Sequence, residues 1–202
     1  MINKRILSFI LSFVLLFCIS GCGDKSEDLG YKVDKITGTH HAVITVEKFG
    51  EIELELYGDK APITVRNFID LAKDGFYDGL TFHRIIENFM IQGGCPKGDG
   101  TGNSSEYIKG EFESNGVSND ISHTRGVISM ARGGHDNNSA SCQFFIVHQD
   151  SQYLDGDYAA FGKVTKGMEV VDKIATETEV YGDNGEVISY HQPVIKSIKI
   201  ID

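Results

Sequence analysis

One stretch of the sequence combines side chains that could bind and act on a polar, uncharged ligand. It covers residues 82–94 and reads Phe-His-Arg-Ile-Ile-Glu-Asn-Phe-Met-Ile-Gln-Gly-Gly. In a β-strand, the period of two residues puts Arg84, Met90 and Gln92 on one face. Phe89 has the opposite parity, so we predict a bulge or bend at the preceding Glu-Asn pair that brings its ring to that face. An apolar floor below one guanidinium and one amide is typical of a site for a neutral, amide-rich ligand.

This stretch resembles the signature Phe-His-Arg-Ile-Ile-x-x-Phe-Met-Ile-Gln-Gly-Gly of the cyclophilins, the cyclosporin-binding family of peptidyl-prolyl cis-trans isomerases. Two further blocks, at 129–146 and 153–164, resemble other parts of that family's peptide groove. The similarity extends from about His41 to the C terminus. It implies an enzyme that accelerates rotation about X-Pro bonds, uses no cofactor and binds proline-containing polypeptides.

The resemblance implies two catalytic residues. Arg84 would donate a hydrogen bond to the prolyl nitrogen of the twisted amide, and Gln92 would bond the substrate backbone and help to fix Arg84. The implied substrate-binding residues are Phe89, Met90, Phe145 and Leu154 around the proline ring, Ala131 and Gln143 along the peptide chain, and, elsewhere in the groove, Phe82, Gly100, Arg132, Tyr153 and Tyr158.

Three of these positions depart from the family pattern. Arg132 stands where many relatives carry asparagine, and Tyr158 stands where histidine is usual. Tyr153 occupies the place of a tryptophan in drug-sensitive members, and the chain contains no tryptophan. Since the indole N–H donor is lost, we expect weak cyclosporin binding and persistent isomerisation.

The composition fits one soluble domain with an appendage. The chain has 202 residues, of which 41% are hydrophobic and 24% charged, as in ordinary globular proteins. Its 23 glycines favour strands joined by tight turns. The formal charge of −10, without a basic run, argues against nucleic acid as a partner.

Two other site classes are unsupported by the sequence. Glycines at 98, 100 and 102 lack the third-glycine spacing and the strand-turn-helix context of a dinucleotide fingerprint. The polar loop at 133–139 contains His135, Asp136 and Asn138, but it does not follow the calcium-loop pattern. We therefore predict a solvated loop and no metal site.

Hydrophobic periodicity predicts many short strands and two helices. In the second strand, Ile52, Leu54 and Leu56 alternate with glutamates and should point inward. The predicted strands are 41–47, 51–57, 126–130, 143–147, 159–164 and 194–201, and the predicted helices are 62–74 and 168–175. This pattern favours a closed or nearly closed antiparallel barrel. The resemblance sharpens it to a closed eight-stranded antiparallel β-barrel capped by two α-helices.

The first 21 residues are predicted to be a signal peptide. Lys4 and Arg5 form a positive region, and the apolar run at 6–17 is shorter than the ~20 residues that span a bilayer. The run ends at Ile-Ser-Gly-Cys22, which resembles the bacterial lipobox, so Cys22 is the expected lipidation site. An ordinary secretory signal with a chance cysteine is the alternative interpretation.

Lipidation would anchor the protein to the extracytoplasmic face of a bacterial cell membrane without spanning it. Residues 22–40 would then form a flexible tether and residues 41–202 the isomerase domain. Loss of Lys4 and Arg5 with the signal lowers the formal charge by two, to −12. Exported proteins would be the clients, and we expect a monomer.

Two questions stay open at the level of sequence. Cys95 and Cys142 either form a disulfide, as an even pair in an oxidising compartment can, or remain two buried thiols. A non-catalytic proline-peptide-binding chaperone is the alternative function, although the presence of both Arg84 and Gln92 argues against it. A solute-binding lipoprotein is disfavoured by the length and by the absence of two α/β lobes.

Overall fold

The computed structural model describes residues 36–202. The predicted signal peptide, Cys22 and most of the predicted tether lie outside the described residues. The strands are β1 (Thr39–Val46), β2 (Gly50–Tyr57), β3 (Phe82–Ile86), β4 (Met90–Gly93), β5 (Val127–Met130), β6 (Phe144–Val147), β7 (Ala160–Lys166) and β8 (Ile195–Ile200), and the helices are α1 (Pro62–Lys73) and α2 (Met168–Glu177). Neither helix of this part is long and apolar enough to cross a membrane.

The first hairpin forms as its alternating pattern predicts. β1 and β2 pair antiparallel, with Thr39 opposite Tyr57 and Val46 opposite Gly50. Ile52, Leu54 and Leu56 are buried, while the intervening glutamates are at least partly exposed. The period of two residues therefore identifies the core face of β2 correctly.

Helix α1 covers the core with the predicted apolar stripe. Proline at its first turn is compatible with a helix start, and Val65, Phe68, Ile69 and Ala72 are buried. The N-cap residue, Ala61, offers no side-chain hydrogen bond to the exposed backbone N–H groups. A residue from elsewhere in the chain must supply that acceptor.

All eight strands belong to one antiparallel sheet, but the predicted closure of the barrel is wrong. The strand order is β3-β4-β6-β5-β7-β2-β1-β8, which leaves β3 and β8 at the two edges. One bridge, between Thr81 and Val194, connects the segments that precede these strands. Pro193 has no N–H to extend that pairing, and residues 185–187 instead hydrogen-bond to the free edge of β3. The result is an open half-barrel.

The sheet packs apolar side chains on both faces. The main core lies between the sheet and the helices and includes Ile91, Phe144 and Ile146. Residues of opposite parity on the same strands, such as Met90 and Phe145, belong to a second, smaller cluster. Side chains alternate across a strand, so this second cluster lies on the other face of the sheet. It forms the floor of a groove.

Cys95 and Cys142, the two cysteines of the described residues, are buried free thiols. Cys95 follows β4 and Cys142 precedes β6, and neither forms a disulfide. Burial raises the pKa of the Cys142 thiol, which keeps it protonated and poorly nucleophilic at neutral pH.

Candidate active site

The stretch with the predicted chemistry folds as a hairpin: at the place of the predicted bulge or bend, the chain reverses completely. β3 and β4 pair antiparallel, with Arg84 opposite Gln92 and Ile86 opposite Met90. The predicted break does fall at Glu-Asn, but the chain reverses there, and Asn88 adopts a φ of 62°. Asparagine tolerates this left-handed conformation better than most residues. The hairpin brings Arg84, Met90 and Gln92 to one face, as predicted.

Phe82 is not in the groove, which corrects the prediction for this residue. Its parity matches that of Arg84, but the β3–β4 register shifts between these two positions. The shift turns the Phe82 ring into the main core, where it is fully buried and packs edge-on against Phe144 at 6.0 Å between centroids. It therefore supports the site from below and does not contact a ligand in the groove.

Arg84 is held on two sides by neutral acceptors. Its Nε donates to the Asn184 carbonyl oxygen at 3.0 Å, and Nη2 donates to Asn184 Oδ1 at 3.2 Å. Nη1 donates to Gln92 Oε1 at 3.3 Å. A guanidinium carries five N–H donors, so two N–H groups have no partner within residues 36–202. Burial lowers the pKa of Arg84, but a guanidinium remains charged at neutral pH.

The side-chain amide of Gln143 holds that of Gln92 in place. Gln92 Nε2 donates to Gln143 Oε1 at 3.0 Å. Gln143 Nε2 in turn donates to the carbonyl oxygens of Gly100, at 2.9 Å, and Gly102, at 2.8 Å. Both N–H groups of Gln143 are thus used within the protein. Gln143 ties Gln92 to the loop at 98–102.

Most of the predicted residues converge on one cavity of about 130 Å³, here called the apolar cavity. This is several times the roughly 10–15 Å³ that a single water requires, so a small ring can enter. Its floor consists of apolar side chains from β4, β6 and the turn after β6. The lining residues are Arg84, Phe89, Met90, Gln92, Ala131, Arg132, Phe145, Leu154 and Tyr158.

Gly100 and Gln143 line an adjoining cavity of about 330 Å³, here called the polar cavity. It shares Gln92, Ala131 and Arg132 with the apolar cavity. Its remaining lining residues are Asn103, Tyr107, Gly133 and Ser139. The two cavities therefore form one continuous groove.

Tyr153 lies at the rim and does not line either cavity. Its side chain is exposed, and its ring packs on that of Phe89 with 5.9 Å between centroids. Tyr158 packs edge-on against Phe145 at 5.9 Å. Tyr158 therefore lines the apolar cavity, whereas Tyr153 contacts it only through Phe89.

The turn that carries Phe89 is clamped by a histidine that the sequence did not identify as functional. His148 Nδ1 accepts the backbone N–H of Asn88 at 2.9 Å, and the backbone N–H of His148 donates to the Phe89 carbonyl oxygen at 2.8 Å. His148 Nε2 lies 3.2 Å from Asp172 on α2. The chain places His148 directly after β6, but no local pattern shows that its ring faces this turn.

A buried histidine also supports the floor from below. The His123 ring stacks on Phe145 at 6.0 Å and 15° between planes. Its Nδ1 lies 2.8 Å from Asp155 Oδ1, and its Nε2 lies 3.0 Å from Ser129 Oγ. Burial lowers the pKa of His123. Burial alone would raise the pKa of Asp155, but hydrogen bonds from Ser122 and His123 outweigh it and lower that pKa.

These shifts predict that acid loosens the floor of the groove. Because the pKa of His123 is lower in the folded protein than in the unfolded chain, the unfolded chain binds more protons as the pH falls through about 6.5. The contribution of Asp155 to the free energy of unfolding is present above about pH 3.9. It is lost as the pH falls through the lowered pKa of Asp155 in the folded protein. Urea unfolding should therefore show a free energy of unfolding that decreases from pH 7 to pH 5. His123→Gln should flatten this decrease, and His135→Gln, in an exposed loop, should leave it unchanged. An equally steep decrease in His123→Gln would contradict this assignment.

Asn184 is a further residue that the sequence analysis missed, and it is predicted to position Arg84. Replacement by alanine removes the acceptor for Nη2 but leaves the carbonyl acceptor for Nε. A hydrogen bond to a charged group contributes about 1.5–3 kcal/mol, so we expect kcat/KM to fall by about tenfold. Asp183→Ala, in the same turn, is the matched control and should retain activity in a proline-isomerisation assay. Unchanged kcat/KM for Asn184→Ala would show that the Asn184 carbonyl oxygen and Gln92 together suffice to fix the guanidinium.

Comparisons with known proteins agree with this geometry. The family model described as cyclophilin type peptidyl-prolyl cis-trans isomerase/CLD matches residues 41–201. A peptidyl-prolyl cis-trans isomerase of Helicobacter pylori is 46% identical over 145 residues, which are 71% of this chain and 85% of that protein. Peptidyl-prolyl cis-trans isomerase B of Bacillus subtilis is 50% identical over 124 residues, or 61% of this chain and 82% of that protein.

Solved structures show the same fold. The crystal structure of a Cryptosporidium parvum cyclophilin type peptidyl-prolyl cis-trans isomerase has a TM-score of 0.71 at 29% identity, and the match covers 82% of this chain and 99% of that one. The structure of the Cryptosporidium protein in the presence of the dipeptide Ala-Pro has a TM-score of 0.70 and covers 80% of this chain. The present chain therefore belongs to the cyclophilin family. It is a peptidyl-prolyl cis-trans isomerase, whose reaction is rotation about X-Pro bonds.

Proposed function

We propose that Arg84 is the catalytic residue and that the enzyme acts on proline-containing segments of exported proteins at a membrane surface. The catalytic part rests on one observation: Arg84 is fixed by three hydrogen bonds, and two of its N–H donors have no partner among residues 36–202. A fixed cation with spare donors can stabilise charge that develops only during the reaction.

The size of the barrier explains why so few groups suffice. Rotation about the X-Pro bond is opposed by about 20 kcal/mol, which is the loss of amide resonance, and takes roughly 10–100 s without catalysis. Raising this rate to an ordinary turnover of about 10–10³ s⁻¹ requires roughly 4–7 kcal/mol. No covalent bond breaks, so the reaction itself calls for neither a nucleophile nor a metal.

Arg84 would supply much of this stabilisation by selective hydrogen bonding. Twisting the amide localises a lone pair on the prolyl nitrogen, and a guanidinium N–H can donate to it. In either planar isomer that lone pair is delocalised and accepts weakly. The hydrogen bond is therefore strongest in the twisted state, which is the condition for catalysis.

The other predicted residues would position the substrate. Phe89, Met90, Phe145 and Leu154 would enclose the proline ring. The last three are buried, Phe89 is partly buried, and all four line the apolar cavity, which supports this role. Gln92 would bond the substrate backbone, since its amide is already oriented by Gln143. The rim residue Tyr153 lacks an indole N–H, so cyclosporin binding is proposed to be weak. We also propose that the protein is a monomer.

The membrane setting is proposed from the sequence around Cys22. Metabolic labelling of bacterial cells with a palmitate analogue should label the full-length protein and place it in the membrane fraction. Cys22→Ala should lose the label and accumulate as an unprocessed or soluble form. Cys18→Ala is the matched control, because Cys18 follows a bulky phenylalanine and should not be lipidated. Persistent labelling of Cys22→Ala would contradict the proposed lipidation of Cys22. That result would not bear on the isomerase activity.

A further inference from the structure

The groove is positively charged although the protein is strongly acidic. The residues that line the apolar and polar cavities include two guanidinium groups, Arg84 and Arg132, and no aspartate, glutamate or lysine. The chain as a whole has a formal charge of −10. At physiological ionic strength, charges are screened over about 8 Å. A ligand in the apolar and polar cavities therefore meets two lining cations and no lining carboxylate.

Arg132 is held rigidly at the boundary between the two cavities. Its guanidinium lies over the rings of Phe112, at 5.2 Å, and Tyr158, at 4.9 Å. Nε donates to the Asp157 carbonyl oxygen at 2.9 Å, and Nη1 donates to the Gly133 carbonyl oxygen at 3.1 Å. Both acceptors are backbone carbonyls, so these bonds orient the cation without neutralising it.

The remaining donors of Arg132 have no partner within the described part of the chain. Two of its five N–H groups are used, which leaves three. Asn103 and Tyr107, whose side chains lie 3.3 Å apart, add an amide and a hydroxyl to the lining of the polar cavity. A fixed guanidinium with spare donors matches a carboxylate in both charge and geometry.

We propose that Arg132 determines substrate specificity by binding an aspartate or glutamate side chain of the client in the polar cavity. The inference rests on the proposed function, because it takes the apolar cavity to hold the proline ring. The two cavities share three lining residues, and an extended chain advances about 3.3–3.6 Å per residue. The acidic residue therefore lies within about three positions of the proline. A lysine at that position is disfavoured by the same charge.

The test uses the purified full chain and peptides that differ at one position only. Aspartate, asparagine or lysine is placed in turn at each of three positions before and after the proline, and kcat/KM is measured for each peptide. At one of these positions we expect kcat/KM to be highest for aspartate, intermediate for asparagine and lowest for lysine. The value for aspartate should be about ten times that for lysine. High salt should reduce this difference, since screening weakens the pairing.

The variants isolate Arg132 as the cause. In Arg132→Gln, the ratio of kcat/KM for the aspartate peptide to kcat/KM for the lysine peptide should fall below about twofold. Arg132→Lys should retain part of the preference for aspartate. The ratio is taken within each protein, so a general loss of activity cancels. Lys196→Gln, at an exposed position on β8, should keep the parent ratio. The proposal is overturned if no position shows the charge order or if Arg132→Gln preserves it. Failure of the parent to accelerate even the asparagine peptides would instead refute the proposed site.

Discussion

Replacing Arg84 with lysine is expected to lower kcat/KM for an Ala-Pro peptide by about a hundredfold without unfolding the protein. Lysine keeps the positive charge, but its single ammonium group cannot bond Asn184 and Gln92 and still present an oriented donor. Loss of a charge-assisted hydrogen bond in the transition state costs about 1.5–3 kcal/mol, which corresponds to roughly 10–150-fold in rate.

A protease-coupled or NMR isomerisation assay measures this loss. Arg66→Lys is the matched control, because Arg66 lies on the surface of α1 and pairs with Asp70. It should remain within about twofold of the parent. Full activity in Arg84→Lys would show that charge alone suffices and that the fixed fork of donors is unnecessary.

Replacing Glu111 with alanine is expected to produce the largest loss of stability. The Glu111 carboxylate is buried and accepts the backbone N–H groups of Ile63 and Thr64, at 3.0 and 2.8 Å, and the Thr64 hydroxyl at 2.7 Å. Ala61 provides no cap for α1, so this carboxylate satisfies the start of the helix from a distant loop. Its negative charge also complements the helix dipole.

Removal of the carboxylate leaves buried donors unsatisfied, each of which costs about 1–3 kcal/mol. We expect the free energy of unfolding to fall by about 3 kcal/mol and Tm to fall by about 6–12 °C. Glu111→Gln keeps one oxygen and should lie between the parent and Glu111→Ala. Glu106→Ala, at an exposed position, serves as the control in thermal unfolding. A Tm for Glu111→Ala within 2 °C of the parent would mean that solvent replaces the carboxylate at the helix start.

Local sequence patterns predicted the elements and many of the site residues. The alternation in β2 and the apolar stripe of α1 are short-range signals, and each element follows its pattern. The apolar cavity is lined entirely by residues predicted to be in the site. These residues were predicted from the resemblance of three sequence blocks, at 82–94, 129–146 and 153–164, to the cyclophilin groove, which requires no coordinates.

Other features depend on contacts between distant parts of the chain. Parity alone could not distinguish a bulge from a hairpin turn before Phe89, nor reveal the register shift that turns Phe82 into the core. The half-barrel stays open because residues 185–187 occupy the edge of β3. Asn184 and Arg84 are 100 positions apart in sequence, and no local pattern connects them. The lipidation of Cys22 stays a prediction.

The most direct test of the central claim is the cis-trans exchange rate of an Ala-Pro peptide bound to the enzyme, measured by NMR together with its dissociation constant. The claim is that Arg84 stabilises the twisted amide more than either planar isomer. Arg84→Lys should then slow exchange of the bound peptide by about a hundredfold and change the dissociation constant by less than about threefold. If Arg84→Lys instead left the exchange rate of the bound peptide unchanged and raised the dissociation constant, Arg84 would bind the planar ground state only. That result would contradict the claim.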